Sequence, residues 1–583
     1  MKKIISGNEA IALSFGDSGG VFASGYPGTP STETLEEVAR LGVVYCEWAP
    51  NEKVALESAI GASIAGGRTL ATMKHVGVNV AADALLTLNH TGVNAGLILM
   101  VADDPGMHSS QNEQDSRNYA KFAKIPMLDP SNSQEAYDFV RDGFDISEQF
   151  DTPVMLRTTT RISHAKGVVV QKEKIAQKIG PWVKDVPKYV MLPNYGKIKH
   201  VEIEARLLKL QEFAETTPLN RIEMGDKGLG IITSGVAYQH VKEAYPNASI
   251  LKLGLVHPLP EKKIREFAAQ FDRLMIVEEL DAIFEEQIRA MGIRVDIGKD
   301  KIPLCGEVNA DIIRAAAGDP PVPGTAPIAA LPQRPPIFCP GCAHRGLFTI
   351  LSKLKVFVSG DIGCYTLGAL PPMSAMHSTI CMGASISAAH GMAKVNEIAG
   401  RTEKPVAVIG DSTFFHSGMT GLLSLAYNKG NALVVIMDNR TTGMTGGQEN
   451  PGSGLDLQGE PAQQVDMVTL VKALGIENVA ELNAYNLEET EAAIKKGLET
   501  PGPYVLIDKN PCILRYRIKS PVLTVDQEKC TGCRACLKAA CVSLGLLPPT
   551  DGKKQKVQID PNICDGCGVC AQLCKFDAIA VAR

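Results

Sequence analysis

The sequence predicts an α/β protein built mainly from doubly wound parallel sheets, with a small α+β module at its C-terminal end. Three observations predict it. Short continuous apolar runs alternate with helix-length stretches through most of the chain, the pattern of buried parallel strands joined by crossover helices. A proline-rich stretch, GDPPVPGTAPIAALPQRPP at 318–336, interrupts that alternation with no apolar periodicity of its own and reads as a domain linker. Eight of the fifteen cysteines fall in the last 54 residues.

A chain of 583 residues is too long for one core, so several domains are expected. Residues 1–182 form the first. GGVFASGYPG, GVVYCEWAP, RTLATMKHVG and AGLILMVADD read as strands running into loops, with NEKVALESAIGASIAGG and NVAADALLTLNH as helices between them. A second α/β domain spans 183–317, with strands in KGLGIITSG, ASILKLG and RLMIVEE. After the 318–336 linker, a third spans 337–516, with strands in KVFVSG, PVAVIGD, ALVVIMDN and PYVLIDKN. The tail, 517–583, holds an internal repeat: VDQEKCTGCRAC superposes on IDPNICDGCGVC at an offset of 34 residues.

Net charge is −5 with no basic stripe, which argues against nucleic acid and against a membrane surface. The start lacks an uninterrupted apolar stretch, and no run of about 18 apolar residues occurs. Fifteen cysteines without a secretory signal point to metal or redox chemistry in a reducing cytoplasm, not to a disulfide scaffold.

The tail carries the most specific chemistry. A C-x2-C-x2-C arc lets one loop wrap three corners of an iron–sulfur cubane, and the doubled arc resembles the two-cluster bacterial ferredoxins, in which each fourth ligand comes from the other arc. That resemblance implies Cys530, Cys533, Cys536 and Cys574 for one [4Fe–4S] cluster, and Cys564, Cys567, Cys570 and Cys541 for the other. The loop before Cys541 is one residue longer than usual, and Val542 and Lys575 stand where proline is common. A zinc ribbon is the competing reading. Such a module carries electrons and has no substrate chemistry of its own.

In the third domain, Gly410-Asp411-Ser412 follows one strand and Asp438-Asn439 closes the next, so both polar ends lie at the carboxyl edge of one parallel sheet. Asp411, Asn439 and the Thr441 carbonyl offer the hard oxygens that Mg²⁺ prefers. The pattern resembles the thiamine diphosphate motif, with Ser412 in place of its last glycine and Asp438 in place of its first asparagine. Turn chemistry alone is the plain alternative. Cys339-x2-Cys342 could bind zinc, close a redox disulfide or be structural.

Taken together, YPGTPSTE, PNEKVALE, FCPGCAHRG, VSGDIGCYTLG, CMGASISAAHGMA and GDS…DN, in that order, resemble the 2-oxoacid:ferredoxin oxidoreductases over essentially the whole chain, and within them the indolepyruvate branch. The resemblance implies two thiamine diphosphate-type domains, a transketolase C-terminal-like domain at 183–317 and a ferredoxin-like tail. It implies oxidative decarboxylation of a 2-oxo acid to its coenzyme A thioester, with electrons leaving through [4Fe–4S] clusters to ferredoxin. It further implies thiamine diphosphate and Mg²⁺ held through Gly410, Asp411, Ser412, Asn439, Thr441 and Gly443. Glu52 stands where the family's pyrimidine-binding carboxylate lies; Thr29 matches a threonine that approaches substrate, and Lys74 and His75 end a strand beside it. Cys339, Cys342, Cys364 and Cys512 match a third cluster's ligands.

Asp103 and Asp104 occupy the neighbourhood where pyruvate-type relatives carry a carboxylate-binding arginine, and Met444 replaces an asparagine. Both favour an aryl pyruvate, indolepyruvate first, with another 2-oxo acid as the alternative. A separate beta subunit, in an α2β2 assembly, is implied by a domain this chain lacks. The rival readings are a non-oxidative thiamine diphosphate decarboxylase, which has no use for the cysteine tail, and a non-catalytic electron-transfer subunit. His344, two residues after Cys342, is the histidine singled out for test. Cys46, Cys305 and Cys381 are left over and are expected as small buried apolar residues.

Overall fold

A computed structural model describes residues 1–320, 336–549 and 554–582. Most of the expected linker, 321–335, therefore lies outside the described residues. The chain divides into two compact units, Met1–Pro327 and Ile328–Arg583.

The first unit is organised by a seven-stranded sheet whose order is Leu255–His257, Met127–Leu128, Val154–Thr159, Leu97–Asp103, Arg68–Lys74, Gly20–Gly25 and Tyr45–Trp48. All neighbours pair in parallel except the first, which is antiparallel. Leu97–Asp103 is wholly buried, which is why its run is apolar without alternation. Glu52–Ile64 starts where the Asn51 side chain accepts the Val54 N–H at 2.9 Å, and Ser133–Phe150 starts the same way at Asn132. The strand Lys2–Ser6, which short-range pattern did not single out, pairs antiparallel with Lys166–Val170.

A four-stranded sheet follows, ordered Leu274–Val277, Asp226–Ser234, Ala248–Leu253 and Arg221–Glu223, the last antiparallel. It does not stand apart from the first. Leu56, Met73 and Val101 share one apolar core with Ile232, Leu251, Phe267 and Phe284, and Leu255–His257 leaves its own domain to edge the seven-stranded sheet. One buried ion pair crosses the same junction, Arg117 to Glu278 at 2.6 Å; Arg117 also reaches Asp115 at 2.5 Å, and Arg157 reaches Asp103 and Asp129 at 2.7 and 3.2 Å, within the first domain.

The second unit contains a fully parallel five-stranded sheet, ordered Val358–Ser359, Val406–Gly410, Leu433–Asp438, Tyr504–Lys509 and Asn478–Leu482. Side chains alternate between two cores: Val406, Val408 and Val435 point into one, Ala407, Ile409 and Val434 into the other. The first of these cores continues into the cysteine tail through Cys536, Ala539, Val557, Val569 and Ile579, so the tail packs directly on the sheet's domain. The tail itself is two antiparallel ribbons, Leu523–Val525 with Ile579–Val581 and Leu544–Leu546 with Val557–Ile559, matching its doubled sequence. Among the described residues no helix is long and apolar enough to cross a membrane.

Candidate active site

In the second unit, Asp411 begins a short helix at the end of Val406–Gly410, and Asp438 ends the neighbouring strand. Asp411 is 1% exposed and accepts a hydrogen bond from Asn450 Nδ2 at 3.1 Å. Burial, and then the nearby Asp438 carboxylate, push the Asp411 carboxyl up to about 7. Two buried carboxylates at one strand edge are a poor arrangement unless a cation joins them, and hard oxygens suit Mg²⁺. Asn439 Oδ1 accepts the Thr441 N–H at 3.1 Å, which folds the following loop back over the strand end. Ser412 and Thr442 exchange a hydroxyl hydrogen bond at 2.8 Å. Phe414–Gly418, just beyond Asp411, is a π-helical turn, a local widening often found at functional sites. Asp361, within VSGDIGCYTLG, takes the N–H groups of Gly383 and Ser385 at 2.8 and 2.9 Å, and Asn450 carries no sequence signal that separates it from ordinary surface polar residues.

The three cysteine sets each border a cavity. Cys530, Cys533, Cys536 and Cys574 line one; Cys541, Cys564, Cys567 and Cys570 line a second. Cys339, Cys342, Cys364 and Cys512 line a third, of about 550 Å³, whose wall also includes His344, Asn439 and Gly443. The thiols are electrostatic neighbours in the same groups: beyond burial, Cys536 is raised by Cys574, Cys530 and Cys533, and Cys570, pushed up to about 12, by Cys567, Cys541 and Cys564. Burial likewise takes Cys342 to about 12 and Cys364 to about 11, the latter with help from Cys512 and Cys339. Thiols this hard to ionise become thiolates when a metal takes the proton's place.

Backbone geometry links the sets. Each contains C-x-G-C, and its glycine is left-handed in all three: φ is 71° at Gly341, 68° at Gly532 and 73° at Gly566. A side chain at Gly566 would run into the Pro521 carbonyl, and at Gly532 it would stand 2.8 Å from the Gln555 oxygen. Glycine is the residue that tolerates both constraints. The shared turn is a signal that sequence reasoning could have used for Cys339 and Cys342. Cys46 is buried as expected, but Cys305 and Cys381 are exposed, correcting the expectation that all three are buried. Both stand in exposed irregular segments outside the sheets. Met444 is 58% exposed in this unit.

Arg345 was not anticipated. It is fully buried and donates to four carbonyl oxygens: Phe338 and Cys339, both at 2.9 Å, Ala539 at 2.5 Å, and Ala540. It also borders the cavity of the Cys564 set. Tyr485 adds a second tie, its hydroxyl donating to the Gly341 carbonyl at 2.7 Å.

In the first unit, Glu52 occupies the first turn of its helix, is 5% exposed, and lies against Gly77; a Cβ there would stand 2.6 Å from Glu52 Cγ. Lys74 and Thr29 meet through Ser109: Lys74 Nζ donates to the Ser109 carbonyl at 2.8 Å, and Ser109 Oγ donates to the Thr29 carbonyl at 3.1 Å. Burial lowers the Lys74 ammonium to about 8 against the pull of Asp104. Asp104 accepts from Ser109 N at 2.8 Å, Ser110 Oγ at 2.6 Å and Thr160 Oγ1 at 2.6 Å, which sets the loop that holds Lys74. Asp103 turns away to Arg157. His75 is buried beside the backbone of Ala102 and Asn112, and burial holds its pKa below the ordinary histidine value.

Residues 18–186 match the family described as pyruvate flavodoxin/ferredoxin oxidoreductase, thiamine diphosphate-binding; residues 361–507 match the C-terminal TPP-binding domain of thiamine pyrophosphate enzymes; and residues 557–580 match a 4Fe-4S binding domain. The chain is 41% identical to an indolepyruvate oxidoreductase subunit IorA from Pyrococcus horikoshii, over 100% of its own length and 97% of that protein's. It is 40% identical to the subunit of the same name from Archaeoglobus fulgidus, over 100% and 98%. A 2-oxoglutarate synthase subunit KorA from Archaeoglobus fulgidus is 25% identical over 48% of this chain and 88% of that protein.

Proposed function

The chain belongs to the family of indolepyruvate oxidoreductase IorA subunits, and from that premise we propose that it carries out the thiamine diphosphate-dependent oxidative decarboxylation of aryl pyruvates, indolepyruvate first, passing electrons through iron–sulfur clusters to ferredoxin. The observation that carries the reading is the 550 Å³ cavity, bordered by Asn439 and Gly443 of the diphosphate loop and by Cys339, Cys342, Cys364 and Cys512. That shared wall supports placing a cofactor that generates electrons beside an electron carrier's ligands.

Thiamine diphosphate, when bound, supplies the electron sink that lets a 2-oxo acid lose CO2. The protein's part is placement. Asp411, Asn439 and the Thr441 carbonyl would hold Mg²⁺, and Gly410, Ser412 and Gly443 would surround the diphosphate. Glu52 is the carboxylate for the pyrimidine ring, and Gly77 leaves room for it. Thr29, Lys74 and His75 receive the substrate, Lys74 supplying the positive charge for its carboxylate. The Cys339, Cys564 and Cys530 sets would each hold a [4Fe–4S] cluster, which when bound supplies a one-electron carrier, and Gly341 and Arg345 border the cavity of the Cys564 set. The acyl group goes to coenzyme A. Names of the relatives as subunits support a separate partner subunit, for which the assembly proposed is α2β2, and the cysteine usage supports a cytoplasmic setting.

The test is anaerobic: the chain and its partner with thiamine diphosphate, Mg²⁺ and coenzyme A, comparing indolepyruvate, phenylpyruvate and pyruvate by viologen reduction. Reduction confined to the aryl substrates upholds the proposal. Equal turnover of pyruvate overturns the substrate class, and CO2 without electron delivery overturns the reaction.

A further inference from the structure

Arg345 departs from the way the other deeply buried arginines of this chain are held. Arg117 and Arg157 each face two carboxylates. Arg345, with 0% exposure, has no carboxylate within 4.0 Å among the described residues; its partners are four carbonyl oxygens, and Nε has none. Carbonyl dipoles solvate a cation without neutralising it, so a net positive charge stays buried. Its surroundings say what balances it. Two of the carbonyls belong to Phe338 and Cys339, at the C-x-G-C turn of the third set, and Arg345 itself lines the cavity of Cys541, Cys564, Cys567 and Cys570. Asp565, the acidic side chain of that cavity, makes no ion pair with it. The cavity of the Cys530 set does not include Arg345; Arg534 there is exposed and bonds to Gln555.

A cluster held by four thiolates is a net anion, and reduction adds one more negative charge. We propose that the Arg345 guanidinium is the counter-charge shared by the Cys339 and Cys564 clusters, raising both reduction potentials. It rests on the reading that both sets hold [4Fe–4S] clusters. No proton need move on reduction, because an arginine stays protonated. Arg345 is a positioning residue: it touches neither substrate nor the reacting atoms.

The experiment compares the full chain with its partner, as parent, R345Q and R345K, by iron content and by dye-mediated redox titration followed by electron paramagnetic resonance. The Cys530 cluster, identified by the signal that C533A removes, is the internal reference. R345Q should lower the reduction equilibrium constants of the other two clusters at least tenfold, about 59 mV for a one-electron couple, or lose the iron of those two sets. R345K, which keeps the charge, should retain the iron with potentials close to the parent's. Three unchanged potentials in R345Q, a shift that falls on the Cys530 cluster, or an R345K that matches R345Q would each overturn the proposal. Iron content of the parent separates the underlying reading: about eight irons per chain instead of about twelve removes the third cluster, and the Cys564 cluster alone then decides the role of Arg345.

Discussion

Lowering the pH from 8 to 6 should weaken Mg²⁺ loading of the diphosphate loop about tenfold, through the single carboxyl of Asp411. Burial and the Asp438 carboxylate push that carboxyl up to about 7, with one hydrogen bond from Asn450 on the other side of the balance. A cation must displace the proton, so its apparent affinity follows the ionised fraction, about 0.9 at pH 8 and about 0.1 at pH 6, a difference of about 1.3–1.4 kcal/mol. The stability of the cation-free chain has the opposite sign. A carboxyl raised on folding binds more protons folded than unfolded, so its contribution is full below the ordinary aspartate range and is lost as the pH rises to about 7. Heat denaturation should therefore show the cofactor's stabilising effect growing from pH 6 to pH 8. Calorimetric titration of Mg²⁺ into the thiamine diphosphate-loaded chain, in two buffers of different ionisation heat, should register close to one proton released at pH 6. The diphosphate's own protonation is common to parent and D411N, so the difference between them isolates Asp411. An identical pH slope in D411N refutes the reasoning.

Further outcomes follow from other parts of the structure. E52Q should lower turnover by about 10²–10⁴ with the heat-denaturation midpoint retained, since it removes a charge and little volume; unchanged turnover would remove Glu52 from the site. G341A places a side chain against Ile513 at a left-handed φ of 71°, and iron per chain should fall from about twelve to about eight by colorimetric assay. The Lys74 ammonium, lowered to about 8 by burial, should make kcat/KM fall as pH rises through that value, a limb that moves upward in K74R if the group binds the substrate carboxylate. R117L leaves Asp115 and Glu278 buried without their cation, and urea denaturation should register a loss of about 3–5 kcal/mol.

What the sequence made legible were features written locally. The runs at 405–411 and 432–439 specify two buried neighbouring strands because both faces are covered, and their polar ends then have to share an edge. The doubled C-x2-C-x2-C specifies two loops and their exchange of fourth residues because the repeat is one unit copied. What escaped depends on partners distant in the chain. Arg345 reads as one of several polar residues on an amphipathic helix, HRGLFTILSKL, and its meaning lies in Ala539 and Ala540, nearly 200 residues on. Asn450 is one turn asparagine among many until Asp411 is placed against it. The exposure of Cys305 and Cys381 was missed because cysteine is usually buried, and a residue's average says nothing of an exposed irregular segment.

The antiparallel edge formed by Leu255–His257 bears on how the chain is made. As it emerges from the ribosome, the first sheet can assemble its parallel members once residue 159 is free, yet the short strand Met127–Leu128 still presents an unpaired border. That border is covered only when the chain has grown about a hundred residues further, a delay of roughly 5–20 seconds at ordinary rates of synthesis. The nascent protein spends that interval with a strand exposed to any neighbour that offers a matching one. Expression of 1–182 alone should make the interval permanent, and aggregation at Met127–Leu128 should be the result.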